Sequence, residues 1–165
     1  MNISGERKEK LNELYEKYAD MLFRIALSQL GNSEDAMDAV HDVYLKYFDT
    51  LVSFKDIEHE RAWFIRATVN RCHDIGRYKK IRSHPSLEEI SDALADSDKS
   101  EAAQQLGRAL SAIPEKYRVA VTLHYLEGFS VEETASILKI GVSAVKMRLS
   151  RGREMLKNYI ETEDK

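Results

Sequence analysis

The sequence is poor in the residues that mark several classes of protein. It contains one cysteine, two prolines and one tryptophan in 165 residues. Because Cys72 has no partner in the chain, an internal disulfide is excluded and a reducing compartment is indicated. No apolar run approaches the roughly 20 residues that span a bilayer, and the first residues, MNISGERKEK, lack the apolar core of a signal peptide. We therefore expect a cytoplasmic protein.

Charge is distributed unevenly, although the net charge is only −3. Residues 32–60 hold eight acids and two bases, whereas residues 61–82 hold seven bases and one acid. Residues 143–158 hold five bases and one acid, and residues 83–101 hold six acids and one lysine. Two basic blocks of this density favour an anionic partner such as nucleic acid. The alternative is that both blocks are solvated helix faces.

Apolar residues recur at helical spacing through most of the chain, and no strand pattern interrupts them. Ser33 is predicted as the N-cap of a second helix, whose apolar face extends to Phe48. A loop in TLVSFKDIEHE precedes a third helix, predicted from about residue 61 to 78. The predicted inner stripe of this third helix contains Ala62, Ile65, Val69, Cys72 and Gly76.

The helical pattern fails from about residue 81 to 98, where the polar and acidic text RSHPSLEEISDALADSDKS predicts a linker. Pro114 fits the first turn of a later helix that runs to about residue 127, and Gly128 ends it. The predicted fold is all-α, with two small helical domains joined by a flexible acidic linker. The predicted boundaries are 1–80, 81–101 and 102–165, and the last domain is a helix-turn-helix domain.

The helix-turn-helix pattern begins at SVEE, a capping box with Ser130 as N-cap and Glu133 three residues later. Gly141 permits a positive-φ turn, and Ser143 is predicted to cap the next helix. The outward face of that helix carries Lys146, Met147, Ser150, Arg151 and Arg153, with Arg148 on its flank. In such motifs the first residues of the second helix reach base edges and the flanking bases hold phosphates. A solvated basic helix is the alternative.

A second candidate face for nucleic acid lies on the third helix. It contains Trp63, Arg66, Asn70, Asp74 and Arg77. Bases, an amide and an aromatic ring on one side suit a single strand. We expect Trp63 itself to pack against neighbouring helices, which leaves Arg66, Asn70 and Arg77 as the binding candidates.

Together these segments resemble the extracytoplasmic-function (ECF) group of bacterial RNA polymerase sigma factors. The first domain reads LGNSEDAMDAVHDVYLKYF and AWFIRATVNRCHDIGRYKK. The second reads AIPEKYRVAVTLHYLEGFSVEETASILKIGVSAVKMRLSRGRE. The resemblance covers nearly the whole chain. It departs from the family at His41, where glutamine is usual, and at Ser143-Ala144, which replaces Gly-Thr.

The resemblance implies a transcription initiation factor with three binding surfaces and no catalytic role, cofactor or metal. The clamp helices of the largest subunit of core RNA polymerase would bind Asp35, Asp38, His41, Asp42 and Leu45. The melted −10 promoter element would bind Phe54, Arg66, Asn70 and Arg77. The duplex −35 element would bind Ser143, Ala144, Lys146, Met147, Arg148, Ser150, Arg151 and Arg153. An anti-sigma factor is the expected inhibitor, and direct membrane insertion is not expected.

Three other functions remain open from the residues alone. A stand-alone helix-turn-helix regulator would use residues 130–157 and bind an operator as a dimer. A protein-interaction bundle would leave both basic faces solvated. A metal-dependent phosphohydrolase would use the two His-Asp pairs, His41-Asp42 and His73-Asp74.

Overall fold

The computed structural model of the protein describes residues 3–82 and 100–163, and the regular structure in these ranges is helical throughout. The N-terminal half comprises α1 (Ile3–Leu30), α2 (Ser33–Thr50) and α3 (Ile57–Arg82). The C-terminal half comprises α4 (Glu101–Ala112), α5 (Glu115–Val121), a π-helix (Thr122–Leu126), α6 (Val131–Leu138) and α7 (Val142–Glu163). The predicted all-α fold is confirmed, while most of the predicted linker lies outside the described residues. Within those ranges no helix is both long and apolar enough to cross a membrane.

The helices α1, α2 and α3 form a bundle around large apolar side chains. Leu14, Leu22 and Ile25 of α1 belong to one buried cluster with Val40 of α2 and Phe64 of α3, and each is at most 1% exposed. Full burial of such a side chain stabilises the fold by about 1.5–3 kcal/mol. The apolar stripes at three- and four-residue intervals therefore pack as the sequence predicts.

Three helix boundaries in this half differ from the prediction. Asn32, not Ser33, caps α2, because its side-chain oxygen accepts a hydrogen bond of 2.8 Å from the backbone amide three residues later. The helix α3 begins at Ile57, four residues before its predicted start, and ends at Arg82, four residues after its predicted end. The carboxylate of Asp56 accepts a 2.8 Å hydrogen bond from the backbone amide of His59, which stabilises this earlier first turn.

Several predicted inner positions also differ. Phe48 is 38% exposed, with the guanidinium of Arg7 over its ring. On α3, Ala62, Val69 and Gly76 are only half-buried. The fully buried residues of α3 are Phe64, Ile65, Thr68 and Cys72. The bulky ring of Phe64 takes the interior position that the sequence analysis gave to alanine, because it buries more apolar area.

The C-terminal half is held together by the crossing of α5 and α7. Val145 and Leu149 face inward, 0% and 4% exposed, as predicted. Gly152 lies where the two helices come closest, because a Cβ at this position would lie 2.7 Å from Cγ2 of Val121. This contact requires a residue without a side chain and fixes how α7 lies on α5.

The predicted capping box is confirmed. The Ser130 and Glu133 side chains each bond the other's backbone amide at 3.0 Å. The following turn differs from the prediction, because the positive φ falls on Lys139, at 57°, and not on Gly141. Lys139 closes α6 with a left-handed C-cap, a common way of ending a helix. Since α7 begins one residue before Ser143, this serine lies in the first turn and is not the cap.

The helix predicted between Pro114 and about residue 127 is confirmed in extent, but its last turn is a π-helix. The backbone amide of Glu127 donates to the carbonyl of Thr122 over five residues, at 3.0 Å. Turns of this kind are rare and occur frequently at functional sites. The sequence pattern did not predict it.

Candidate functional surfaces

The outward face of α7 carries most of the predicted −35 residues at the surface. The exposed members are Ser143, Lys146, Met147, Ser150, Arg151 and Arg153. Ala144 and Arg148 are half-buried. The structure therefore brings the predicted residues together on one helix, with a basic outer side and an apolar inner side.

Two tyrosines that the sequence analysis missed contact arginines of this face. Nη1 of Arg151 lies 3.5 Å from the hydroxyl of Tyr117, and Nη1 of Arg153 donates to the hydroxyl of Tyr125 at 2.6 Å. The hydrogen bond from Arg151 lowers the pKa of Tyr117. The partners are 34 and 28 residues apart in sequence, so no local pattern predicts these pairs.

The second predicted DNA face lies along α3. Asn70 and Arg77 are exposed and Arg66 is half-buried. Arg66 and Arg77 are separated by about 16 Å of helix. The ring of Trp63 packs 6.0 Å from that of Phe54, so the expectation that Trp63 packs is confirmed. Phe54 is itself half-buried in this aromatic cluster, which continues the face at its N-terminal end.

An acidic groove of about 600 Å³ lies between α2 and α3. It is lined by Asp35, Asp38, His41, Asp42, Arg71, Asp74 and Ile75. Nε of Arg71 donates to Asp42 at 2.8 Å, but both side chains are more than 40% exposed, so this pair contributes little stability. Leu45, one turn after His41, is 62% exposed. Four of the five predicted polymerase-binding residues thus line one groove, with an apolar side chain beyond it.

The two His-Asp pairs do not bring all four side chains together, because Asp74 lines the groove with His41 and Asp42 but His73 does not. Asp42 binds Arg71, whereas Nδ1 of His73 lies 2.8 Å from the carboxylate of Glu115. In the described ranges, no three His, Cys, Asp or Glu side chains are grouped as metal ligands. The phosphohydrolase interpretation has no geometric support here.

Comparison with known proteins identifies the family. Residues 14–82 match the family model of sigma-70 region 2, and residues 103–156 match that of sigma-70 region 4. SigM, an ECF RNA polymerase sigma factor of Mycobacterium tuberculosis, is 30% identical over 157 residues, which cover 94% of the chain and 79% of SigM. The chain belongs to the ECF sigma factors. The family predicted from the sequence is therefore confirmed.

Other relatives of this sigma factor agree. The ECF sigma factor SigE of Mycolicibacterium smegmatis is 29% identical over 157 residues, covering 90% of the chain but 61% of SigE, so the chain spans less than two thirds of that relative. The sigma factor RpoE of Bartonella quintana, solved in complex with the anti-sigma factor NepR, has a TM-score of 0.71 at 22% identity, covering 93% of this chain and 98% of RpoE. This likeness shows a shared fold.

The two halves of the sigma factor share an apolar core, which the sequence analysis did not predict. The C-terminal half contributes Val119, Leu123, Phe129 and Ile137 to the cluster built around α1, α2 and α3. The guanidinium of Arg61 lies over the ring of Phe129, 4.8 Å from its centroid. We call this region, together with the polar contacts around it, the joint.

Polar side chains ring the joint. The pairs that cross it are Arg24–Glu127, Arg61–Glu133 and His73–Glu115, each at 2.8 Å. The first pair is bidentate, with bonds of 3.2 and 2.8 Å, and the side chain of Glu127 is only 7% exposed. This hydrogen bonding raises the pKa of Arg24. Bidentate geometry makes it the strongest of the three pairs.

Arg118 connects the halves in a different way. Its guanidinium donates to the backbone carbonyl of Gln29 at 2.6 Å and to that of Ile113 at 3.2 Å. Burial lowers the pKa of Arg118. The carbonyl of Gln29 lies in the last turn of α1, where unpaired carbonyls carry partial negative charge and where α1 supplies no basic residue of its own. The C-terminal half therefore caps a helix of the N-terminal half.

Proposed function

We propose that this sigma factor binds core RNA polymerase through the groove between α2 and α3. It then directs the enzyme to promoters by contacts of α3 and α7 with DNA. The observation that carries this proposal is the presence of one basic face in each half together with an acidic groove, which Asp74 of the predicted α3 face joins. The chain supplies recognition in the cytoplasm, and the polymerase makes the RNA.

The groove suits a partner that presents basic side chains. Asp35, Asp38, Asp42 and Asp74 line it against the single base Arg71. A cation that enters gains from several carboxylates at once, because opposite charges in a concave surface reinforce one another. Leu45 beside the groove adds an apolar contact that is exposed in the free chain. A clamp helix with mixed basic and apolar residues fits both features.

The two DNA faces differ in what they recognise. The outer side of α7 begins with Ser143 and Ala144 and continues into basic residues, the order in which a recognition helix reads bases and then holds phosphates. Along α3, Asn70 and the arginines Arg66 and Arg77 follow a strand whose bases have left the duplex. The proposed targets are the −35 duplex for α7 and the melted −10 strand for α3.

The closed joint must open for both contacts to occur at once. Elements centred near −35 and −10 are about 25 base pairs apart, or ~85 Å of duplex. A compact chain of 165 residues has a radius of gyration of about 15 Å and hence a diameter near 40 Å. The segment between α3 and α4, residues 83–100, can span at most about 65 Å, which permits the separation. Polymerase binding therefore exchanges contacts of the joint for contacts with the enzyme.

An anti-sigma factor is the proposed inhibitor. The support is the RpoE structure, which was solved with the anti-sigma factor NepR and shares the fold of this chain. A partner that binds the closed form more tightly than the open form would hold the chain away from polymerase.

The proposal is tested by a pull-down with bacterial core polymerase and run-off transcription on a library of promoter fragments. We expect Asp38→Arg to lose core binding, because it places a cation in the acidic groove. Arg151→Ala should keep core binding and lose promoter-specific transcripts. The matched controls are Glu16→Arg on the exposed side of α1 and Lys157→Ala near the far end of α7. Absence of core binding by the wild-type chain at modest salt would refute the proposal.

The stand-alone regulator is the alternative that this experiment also examines. It leaves the groove and the α3 face without a role, and it predicts specific duplex binding by a dimer without polymerase. Selective DNA binding that core polymerase does not change would favour it. The match of residues 14–82 to sigma-70 region 2 favours the polymerase-dependent function.

A further inference from the structure

We propose that Tyr125 and Arg153 together form a clamp for one backbone phosphate of duplex DNA. This inference rests on the proposed binding of α7 to the −35 duplex. It adds Tyr125, a residue of the preceding π-helix, to the DNA surface. It also gives Arg153 the role of holding phosphate and not of reading a base.

The geometry of the pair is the first argument. Nη1 of Arg153 donates to the hydroxyl oxygen of Tyr125 at 2.6 Å, and its Cζ lies 5.9 Å from the ring centroid. Tyr125 is 45% exposed and Arg153 is exposed. Within the described residues, no carboxylate forms an ion pair with Arg153 in this structure. A surface arginine held by a neutral hydroxyl keeps its full charge available to an anion.

The surroundings of Tyr125 are the second argument. The neighbouring His124 ring meets the Tyr125 ring edge-on at 4.8 Å, and Nδ1 of His124 donates to the carbonyl of Phe129 at 2.7 Å. The π-helix that contains both rings is closed by the bond between Glu127 and Thr122. Tyr125 is therefore held beside α7 before any ligand arrives, and a group fixed in advance costs less ordering entropy on binding.

The donor count is the third argument. A tyrosine hydroxyl has one proton to donate, and a guanidinium has five. In the pair, the Tyr125 oxygen accepts from Arg153, so its own proton remains to be donated. The adjacent cation polarises this O–H and makes it a stronger donor. Two donors side by side match the two non-bridging oxygens of a phosphodiester.

The position along α7 decides between base and phosphate. Arg153 lies about 10 Å along the helix axis from Lys146, or two turns beyond the first residues that enter the groove. In helix-turn-helix complexes the N-terminal residues of the recognition helix contact base edges. A side chain two turns later, held from outside the helix by Tyr125, is placed for the backbone that borders the groove.

The test measures binding of the full chain, assembled with core polymerase, to labelled −35 promoter fragments over a series of KCl concentrations. We expect Arg153→Ala to weaken binding about tenfold and to reduce the salt slope by about 0.9, the value for one lost phosphate contact. Tyr125→Phe should weaken binding about threefold, and equally for all −35 sequences, because phosphate contacts carry no sequence information. In the Arg153→Ala variant, Tyr125→Phe should weaken DNA binding less than it does in the wild-type chain, because the two residues act as a unit.

Controls separate the clamp from a structural pair. Tyr159→Phe removes the same hydroxyl group and Lys157→Ala removes a cation elsewhere on α7, and both should leave the affinity unchanged. A purely structural role for Tyr125 would lower the melting temperature of Tyr125→Phe without changing DNA affinity, and this result would overturn the clamp. A changed preference among −35 sequences would also overturn it, because Tyr125 would then read a base. If the wild-type assembly shows no −35-dependent binding, the proposed function fails and the clamp fails with it.

Discussion

Replacing Glu127 by arginine tests whether the joint controls access to polymerase. The change removes the two hydrogen bonds from Arg24, of 2.8 and 3.2 Å, and places a second guanidinium group opposite that of Arg24. Loss of the pair costs about 1 kcal/mol, since Arg24 is 57% exposed. Repulsion between like charges at about 4 Å in water adds about 1 kcal/mol. Together these shift the closed–open equilibrium about 30-fold towards the open form.

Two measurements detect this shift. If the open form of the wild-type chain is rare, its affinity for core polymerase is reduced by the fraction that is open, so Glu127→Arg should bind core up to about 30-fold more tightly. If the open form is already common, energy transfer between dyes on Lys46→Cys of α2 and Lys157→Cys of α7 should fall. Labelling at these sites is selective because Cys72 is buried and its pKa is raised to about 12.

Two further variants test whether the Arg24–Glu127 pair holds the joint closed: one with the two charges exchanged, and one that breaks an ion pair inside the C-terminal half. The double variant Arg24→Glu with Glu127→Arg should restore both the dye distance and the core affinity of the wild type. Glu163→Arg breaks the bond of 2.9 Å to Arg108 inside the C-terminal half and should change neither. A folded Glu127→Arg chain with wild-type dye distance and wild-type core affinity would refute the idea that this pair holds the joint closed.

Three further predictions concern stability and are read from thermal or chemical unfolding of the chain. Gly152→Ala should destabilise by about 1–3 kcal/mol because the new Cβ meets Val121, and adding Val121→Ala should recover part of the loss; equal stability of Gly152→Ala and wild type would contradict the close contact. Ser130→Ala removes half of the capping box and should cost about 0.5–2 kcal/mol, whereas no loss would show that water replaces the cap. Burial works to raise the pKa of Glu60, but hydrogen bonds led by that from Tyr18 outweigh it and lower the pKa. The contribution of Glu60 to folding stability is therefore fully present above pH 4.5, the ordinary pKa of glutamate, and is lost as the pH falls through the lowered pKa. Glu60→Gln should flatten this pH dependence of stability.

The sequence predicted those parts of the fold that depend on local spacing. Helical stripes such as Val145 and Leu149, and the capping box at Ser130, require only residues three or four positions apart, so they can be read directly. Helix boundaries were predicted less accurately, because several neighbouring residues can serve as the N-cap of one helix. Asn32 and Ser33 are both good N-caps, and only the geometry of the preceding turn decides between them.

The sequence did not predict contacts between distant segments. The pairing of Arg153 with Tyr125 depends on a π-turn that shifts the register of one helix, and propensities do not signal such a turn. The burial of Phe64 in place of Ala62 depends on which helices surround α3. The joint depends on the relative position of two halves that each have a complete helical pattern, so no periodicity distinguishes a residue facing the joint from one facing its own core.

The composition of the joint argues that it is built to open. Polar groups are buried beside its apolar side chains, since Ser28, Gln29 and Thr122 are at most 9% exposed within it. The hydroxyls of Ser28 and Thr122 lie 3.2 Å apart, while Oε1 of Gln29 finds no partner among the described residues. A buried acceptor without a partner costs about 1–3 kcal/mol, which offsets part of the apolar gain from Leu123 and its neighbours. This cost lowers the net stability that the joint gains from its apolar contacts. Under the proposed function, a polymerase that binds only the open form would have correspondingly less to overcome with its contacts in the α2–α3 groove.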